Sequence, residues 1–205
     1  MKAALIVLAA TVMVSFAAPV PLMDGKTFRG WTGDTNTVWR IENGAFVAGS
    51  LEKRFPRNEF LRSAQSFTNF ILRLKVRLEG TDGFVNGGVQ IRSQPATNPP
   101  NEMVGYQCDV GDGWWGALYD ETRRNKVLIK PKDEAVKQAI KRNDWNEYVI
   151  RAEGKRIQSS INGVPMIDYT EPDDSIPQFG LLGLQIHGGG ATRISYKDIS
   201  IEVLP

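Results

Sequence analysis

Two residue types on which much enzyme chemistry depends are almost missing from this chain: its 205 residues include one cysteine, Cys108, and one histidine, His187. A lone cysteine excludes an intramolecular disulfide. A lone histidine, with no cysteine cluster to replace it, excludes zinc sites built on two or three imidazoles or on four thiolates. No G-x-S-x-G elbow supports a serine nucleophile, and neither a P-loop nor a dinucleotide fingerprint occurs. An excess of one charge is lacking too. Lys and Arg number 25 against 23 Asp and Glu, so the basic surplus of a nucleic-acid binder is absent and a neutral ligand is expected. Past the first 17 residues, no apolar run reaches the ~18 needed to span a bilayer.

Those first residues, MKAALIVLAATVMVSFA, join one Lys to a short apolar run and a small-residue end. They read as a secretory signal peptide cleaved after Ala17, which predicts a protein secreted or held in the periplasm. Residues 18–205 then suit one domain.

Alternation at a period of two dominates this domain. Trp39 to Ala48 predicts a hairpin around Asn43-Gly44. Over Phe67–Leu78, Ile71 or Leu72 hands over to Leu74, Val76 and Leu78, which alternate with Arg73, Lys75 and Arg77 as a half-buried strand. Further strands are expected over Asn58–Arg62, Gly87–Arg92, Tyr106–Val110, Trp145–Ala152, Arg156–Ile161 and Val164–Tyr169, with one short helix over Asp133–Lys141. Phe179 to Val203 reads as a closing hairpin: Leu182, Leu184 and Ile186 form one apolar face, Gly188-Gly189-Gly190 the turn, and a second strand slips its alternation near Lys197-Asp198. Many short strands with hairpin signals and scarcely any helix predict an all-β, two-sheet antiparallel jelly-roll sandwich.

Polar residues opposite an apolar face recur on three strands: Gln90 with Arg92, Gln107 with Asp109, and Gln185 with His187. On neighbouring strands these six would share one surface, and amides beside tryptophan suit a carbohydrate. The alternative for each strand is an ordinary solvated face. His187 is the natural proton-transfer group, and the glycines after it would let a ligand approach the backbone. Trp114 and Trp115 read equally as a sugar-stacking platform, which Tyr119 would extend, or as core. Asp109, Asp112 and Glu121 offer oxygen ligands for a hard cation, but without EF-hand spacing they read more simply as acidic turn residues. Arg123-Arg124 reads as a solvated charge pair rather than an anion site, and Glu59 as either a surface strand residue or a spare acid.

The segments PLMDGKTFRGW, WRIENGAFVAG, RNEFLRS, GGVQIRS, GYQCDVGDGWWGALYDE, DWNEYVIRAEGKRIQSSING and GLLGLQIHGG occur in an order that resembles the secreted 3-keto-disaccharide hydrolase family, whose fold is a concanavalin-like jelly roll. Family members often carry Tyr-Glu-Val-Gln in the central strand, where this chain has Tyr106-Gln107-Cys108-Asp109. The resemblance implies cleavage of glycosides oxidised to a ketone at C3. That ketone acidifies the C2 hydrogen, so a base removes it, the C1 oxygen leaves by β-elimination and water adds to the enone. One base, one acid and an oxyanion stabiliser suffice, in place of a matched carboxylate pair. The roles implied are His187 as base or acid, Asp109 or Glu59 as its partner or as a metal ligand, Arg92 as enolate stabiliser, and Gln90, Gln107 and Gln185 as hydroxyl binders. A divalent metal ion would further polarise the ketone. The same features also suit a non-catalytic lectin-like module. A conventional glucanase on this fold would carry a Glu-x-Asp-x-x-Glu strand, which is absent.

Overall fold

A computed structural model describes residues 18–205, so the expected signal segment lies outside the described residues. In chain order the first strands are β1 (Val20–Pro21), β2 (Trp31–Thr32), β3 (Trp39–Glu42), β4 (Ala45–Gly49) and β5 (Glu59–Phe67). The middle of the chain holds β6 (Phe70–Gly83), β7 (Asn86–Pro95), β8 (Met103–Gly111), β9 (Leu118–Glu121) and β10 (Lys126–Ile129). Then come α1 (Asp133–Ala139), β11 (Asn146–Glu153), β12 (Arg156–Ile161), β13 (Val164–Thr170), β14 (Gly180–Ile186) and β15 (Gly190–Val203). All pairings are antiparallel, in an eight-stranded sheet ordered β13-β12-β11-β6-β15-β4-β3 with β1 on β15, and a seven-stranded sheet ordered β10-β9-β8-β7-β14-β5-β2. This is the expected jelly-roll sandwich. The Asn43-Gly44 turn has positive φ at both residues, as a type I′ hairpin requires.

The apolar phases meet between the sheets. Leu72, Leu74 and Val76 from one sheet pack with Val89, Ile91, Cys108, Val110, Leu182, Leu184 and Ile186 from the other. Burial pushes the Cys108 thiol far above its ordinary range, so it is an unreactive part of the core. Tyr196 reaches across from β15, its hydroxyl shared between the carbonyls of Gln185 at 2.8 Å and Gly88 at 3.0 Å. It fastens the start of β7 to the end of β14 from below.

The last two strands correct the sequence reading. β14 and β15 do not pair as a hairpin: β14 lies between β7 and β5 in one sheet, and β15 between β6 and β4 in the other. Residues 187–189 form an arch between sheets. His187 N–H still donates to Asn86 O at 3.1 Å, but Gly188 N–H turns to Asn58 Oδ1 and Gly189 N–H to Phe55 O. The glycines accommodate neighbouring chain rather than a ligand: a Cβ at Gly188 would lie 2.5 Å from Arg57 Cα, and one at Gly190 2.3 Å from Phe84 O. The expected irregularity near Lys197-Asp198 is present, with Asp198 at φ 54°.

Candidate functional site

β8, β7 and β14 are consecutive neighbours, so the three polar phases fall on one face of one sheet, opposite the core. Register fixes the rows. Tyr119, Gln107, Gln90 and Gly183 stand side by side, and in the next row Asp109, Gly88 and Gln185. His187 follows Gln185 by two residues and stands level with Asn86, its backbone partner. A pocket of about 150 Å3 opens here, lined by Phe84, Asn86, Gln107, Asp109, Trp114, Tyr119, Glu121 and His187. It is smaller than the roughly 300 Å3 of drug-sized sites, which suits one ring rather than a whole oligosaccharide.

The pocket has an aromatic wall. Trp114 packs edge-on to Tyr119 at 6.0 Å and to Phe84 at 6.4 Å, and Phe84 meets the His187 ring at 4.7 Å. Lys130 Nζ covers Trp114 at 4.7 Å. Gly88 makes room for Gln107, whose side chain lies over it: a Cβ there would be 2.7 Å from Gln107 Cδ.

Hydrogen bonds set the direction of each group. Ser93 Oγ donates to Gln90 Oε1 at 2.5 Å, Gln90 Nε2 to Gln107 Oε1 at 3.1 Å, and Gln107 Nε2 to Asp109 Oδ1 at 2.9 Å. Asp109 Oδ1 is therefore the acceptor, and Oδ2, buried without a partner, is the oxygen free to carry a proton. Burial raises this carboxyl to about 8, with Gln107 opposing the shift and Glu121 adding to it. Burial also raises Glu121 to about 7, helped by the charges of Glu102 and Asp120. His187 Nδ1 lies 2.6 Å from Gly188 O, which can only accept, so Nδ1 carries the proton and Nε2 holds the free lone pair. Burial lowers the His187 pKa from 6.5, against the pull of that hydrogen bond, and the ring is neutral at pH 7.

Other residues singled out in the sequence lie elsewhere. Arg92 leaves the shared face because it sits at a register shift in β7 with φ 49°. Its guanidinium, buried and lowered to about 10, instead ties together Thr68 O, Gly154 O, Gln178 Oε1 and Asn69 Oδ1. Glu59 pairs with Ile186 rather than with the polar phase and is bridged to Arg57 at 2.8 Å, away from the His187 pocket. Trp115 belongs to the core at 6% exposure, so only Trp114 of the pair faces the pocket. Gln90 and Gln185 are wholly buried: Gln90 is spent on orienting Gln107, and Gln185 lies beyond the pocket. Asp112 is ion-paired to Arg142 outside the pocket, and Arg123 and Arg124 close on Asp120 and Glu171. Among the described residues no three His, Cys, Asp or Glu side chains converge as a metal centre.

Asn86 and Phe84 were missed. Both precede Gly87-Gly88, and Asn86 opens the strand that carries Gln90, but only the pairing of β7 with the His187 arch brings them to the site. Glu121 reads from the sequence as an acidic turn residue or a cation ligand, not as a proton-transfer group, because nothing in the sequence shows its burial.

Comparison with known proteins adds a lineage. The family model described as a 3-keto-alpha-glucoside-1,2-lyase-like domain matches residues 18–202. No curated protein matches the sequence. Among solved structures, a candidate glycosyl hydrolase from Parabacteroides distasonis superposes with a TM-score of 0.66 at 19% identity, over 92% of this chain and 100% of its own. The carbohydrate binding module CBM66 from Bacillus subtilis gives 0.63 at 18% identity, over 84% and 95%. A β-1,3-1,4-glucanase from a mouse hindgut metagenome gives 0.50 at 10%, over 84% and 92%. At these identities the likeness is one of fold.

Proposed function

Because this chain belongs to the 3-keto-alpha-glucoside-1,2-lyase-like domain family, we propose that it cleaves glycosides bearing a ketone at C3 by elimination across C1 and C2. His187 Nε2 takes the C2 proton, and the electron pair moves into the ketone as an enolate. Asn86 and the hydroxyl of Tyr119, which stays protonated because burial and the nearby carboxylates raise it, line the pocket as donors to that oxygen. The enolate re-forms the ketone, a C1–C2 double bond appears, and the C1–O bond breaks. Asp109 Oδ2 gives its proton to the departing oxygen. The products are an unsaturated 3-keto sugar and a free alcohol. Imidazolium and carboxylate then exchange a proton through solvent. Water adding hydroxyl to C1 and hydrogen to C2 completes a net hydrolysis, with Glu121 placed to assist.

One observation carries this reading: a neutral imidazole with a free Nε2 and a protonated carboxyl with a free Oδ2 border one pocket, separated only by β7. At ~4.8 Å per strand and ~3.4 Å per residue, two strands across and two residues along, their backbones stand roughly 12 Å apart, room for a sugar ring between the side chains. The test is incubation with a 3-keto-disaccharide in D2O. Expected are deuterium at C2 of the recovered sugar and release of the second sugar, both abolished in His187→Ala. Full cleavage by His187→Ala would refute the assignment, and affinity without turnover in the parent protein would favour a binding module. We also assign residues 1–17 as an export signal, checked by an N-terminus at Ala18 in the exported protein.

A further inference from the structure

The polar face does not end at the His187 pocket. Beyond Gln185 the next strand, β5, sets Phe60 beside Gln185 and Arg62 beside Gly183 on the same face, and β2 places Thr32 beside Arg62. A second depression of about 120 Å3 lies there, lined by Thr32, Asp34, Glu59, Arg62, Asn101 and Glu102 among others. Between the two stands a bridge made by the connection from β7 to β8. Asn58 Nδ2 donates to Glu102 Oε1 at 2.9 Å, and Asn101 Nδ2 donates to Asn58 O at 2.9 Å. On the floor between the pockets Gln185 is 0% exposed, yet neither Oε1 nor Nε2 has a hydrogen-bond partner, and Glu102 Oε2 is likewise buried and unpaired.

An amide with both polar atoms buried and unmatched is costly, and the packing here had an apolar solution, since Phe60, paired with Gln185 on β5, is apolar and buried. We infer that the two depressions are halves of one disaccharide-binding groove, that Gln185 and Glu102 bind hydroxyls of the substrate, and that Arg62 and Thr32 hold the ring that departs. This rests on the proposed reaction for the identity of the first ring, which occupies the His187 pocket. The Asn58–Glu102 bridge must yield to the substrate, and Asn58 also accepts from Gly188 N–H at 2.9 Å, next to His187. Entry of the second ring is thereby connected to the backbone that holds the base.

The inference is tested by equilibrium binding in the His187→Ala background, which removes turnover, using a 3-keto-disaccharide and methyl 3-keto-α-glucoside as the one-ring control. Gln185→Met, of similar length and without polar atoms, and Arg62→Ala at the far pocket are each introduced. Both are expected to weaken the disaccharide about tenfold or more, the scale of one hydrogen bond, and to leave the one-ring glycoside within about twofold. Equal losses on both ligands, or no loss on either, would overturn the groove. Arg62→Ala guards against a folding effect at Gln185, and thermal midpoints of both variants are recorded. Turnover is read separately in the otherwise unsubstituted protein. A selective binding loss without any turnover would leave the groove standing and sink the reaction, whereas turnover with no selective loss would do the reverse.

Discussion

Replacing Asp109 by Asn gives the most exposed test of the site's electrostatics, since it separates stability from catalysis. In the folded protein burial holds the carboxyl at about 8 against an ordinary 3.8. Across that window the native state keeps a proton that the unfolded chain has lost, so stability falls as pH rises through it. At pH 7 the gap is about three pH units at about 1.4 kcal/mol each, so the single group lowers stability by up to about 4 kcal/mol relative to pH 3. Asn keeps the Oδ1 that accepts from Gln107 Nε2 and cannot ionise. Urea unfolding at intervals from pH 4 to pH 8 is the assay. With m of about 3 kcal/mol/M or less, a 4 kcal/mol difference moves the midpoint by at least about 1 M. The variant is expected to be more stable than the parent at pH 8, with the difference vanishing near pH 4, and to be inactive. Glu121 contributes a slope of the same sign to both proteins, so the difference between the two curves reports Asp109 and its interaction with Glu121. Parallel pH curves would show that Asp109 is not held protonated, and the acid assigned to the leaving oxygen would be wrong.

The rate of cleavage is expected to trace a bell: the acid limb lies below pH 6.5, where His187 becomes protonated, and the alkaline limb lies near 8, where Asp109 ionises; a pH–rate profile with its acid limb above 6.5 would contradict the buried histidine. Arg92→Ala leaves carbonyls of Thr68 and Gly154 unmatched and is expected to cost about 2–4 kcal/mol in urea unfolding, with kcat/KM unchanged at permissive temperature. The adjacent tryptophans are expected to part company: Trp115→Ala destabilises by about 3–5 kcal/mol, while Trp114→Ala folds and raises KM. Gly188→Ala drives a methyl into the Arg57 backbone, so a loss of about 1–3 kcal/mol together with a fall in kcat is expected, and an unaffected rate would show that the arch does not position His187.

Period-two alternation made the fold readable, because each strand has one apolar face and antiparallel hairpins announce themselves through pairs such as Asn43-Gly44. It also told which side of Tyr106-Gln107-Cys108-Asp109 is core: Tyr106 and Cys108 are buried inward, while Gln107 and Asp109 line the pocket. Partnering between strands carries no such local mark. The run 180–203 looks like a hairpin from either arm, and only competition for partners sends its two strands into different sheets. Arg92 shows the limit within one strand, for the shift after Ile91 turns it out of phase with Gln90 and no residue type there advertises a bulge. The Trp114-Trp115 pair was undecidable for a related reason: the turn geometry at residues 111–117, not composition, selects which ring faces outward.

The chemistry of the pocket follows from one physical cause acting on unlike groups. Burial drives both Asp109 and His187 toward neutrality, which raises the one and lowers the other. The result near pH 7 is a proton donor and a proton acceptor available together, without the ionised carboxylate beside a protonated one that a retaining or inverting glycosidase uses. Such a pocket is a poor host for an oxocarbenium ion, whose positive charge needs a fixed anion, since Glu121 at about 7 is only partly ionised and stands on the β9 wall. It is a better host for an enolate. The developing negative charge would meet the amide of Asn86, the hydroxyl of Tyr119 and, once proton transfer begins, the imidazolium of His187 itself. In the proposed reaction the burial that makes Asp109 costly to fold is thus also what keeps it protonated for transfer to an alkoxide, and the two effects are expected to rise and fall together in the single substitution Asp109→Asn.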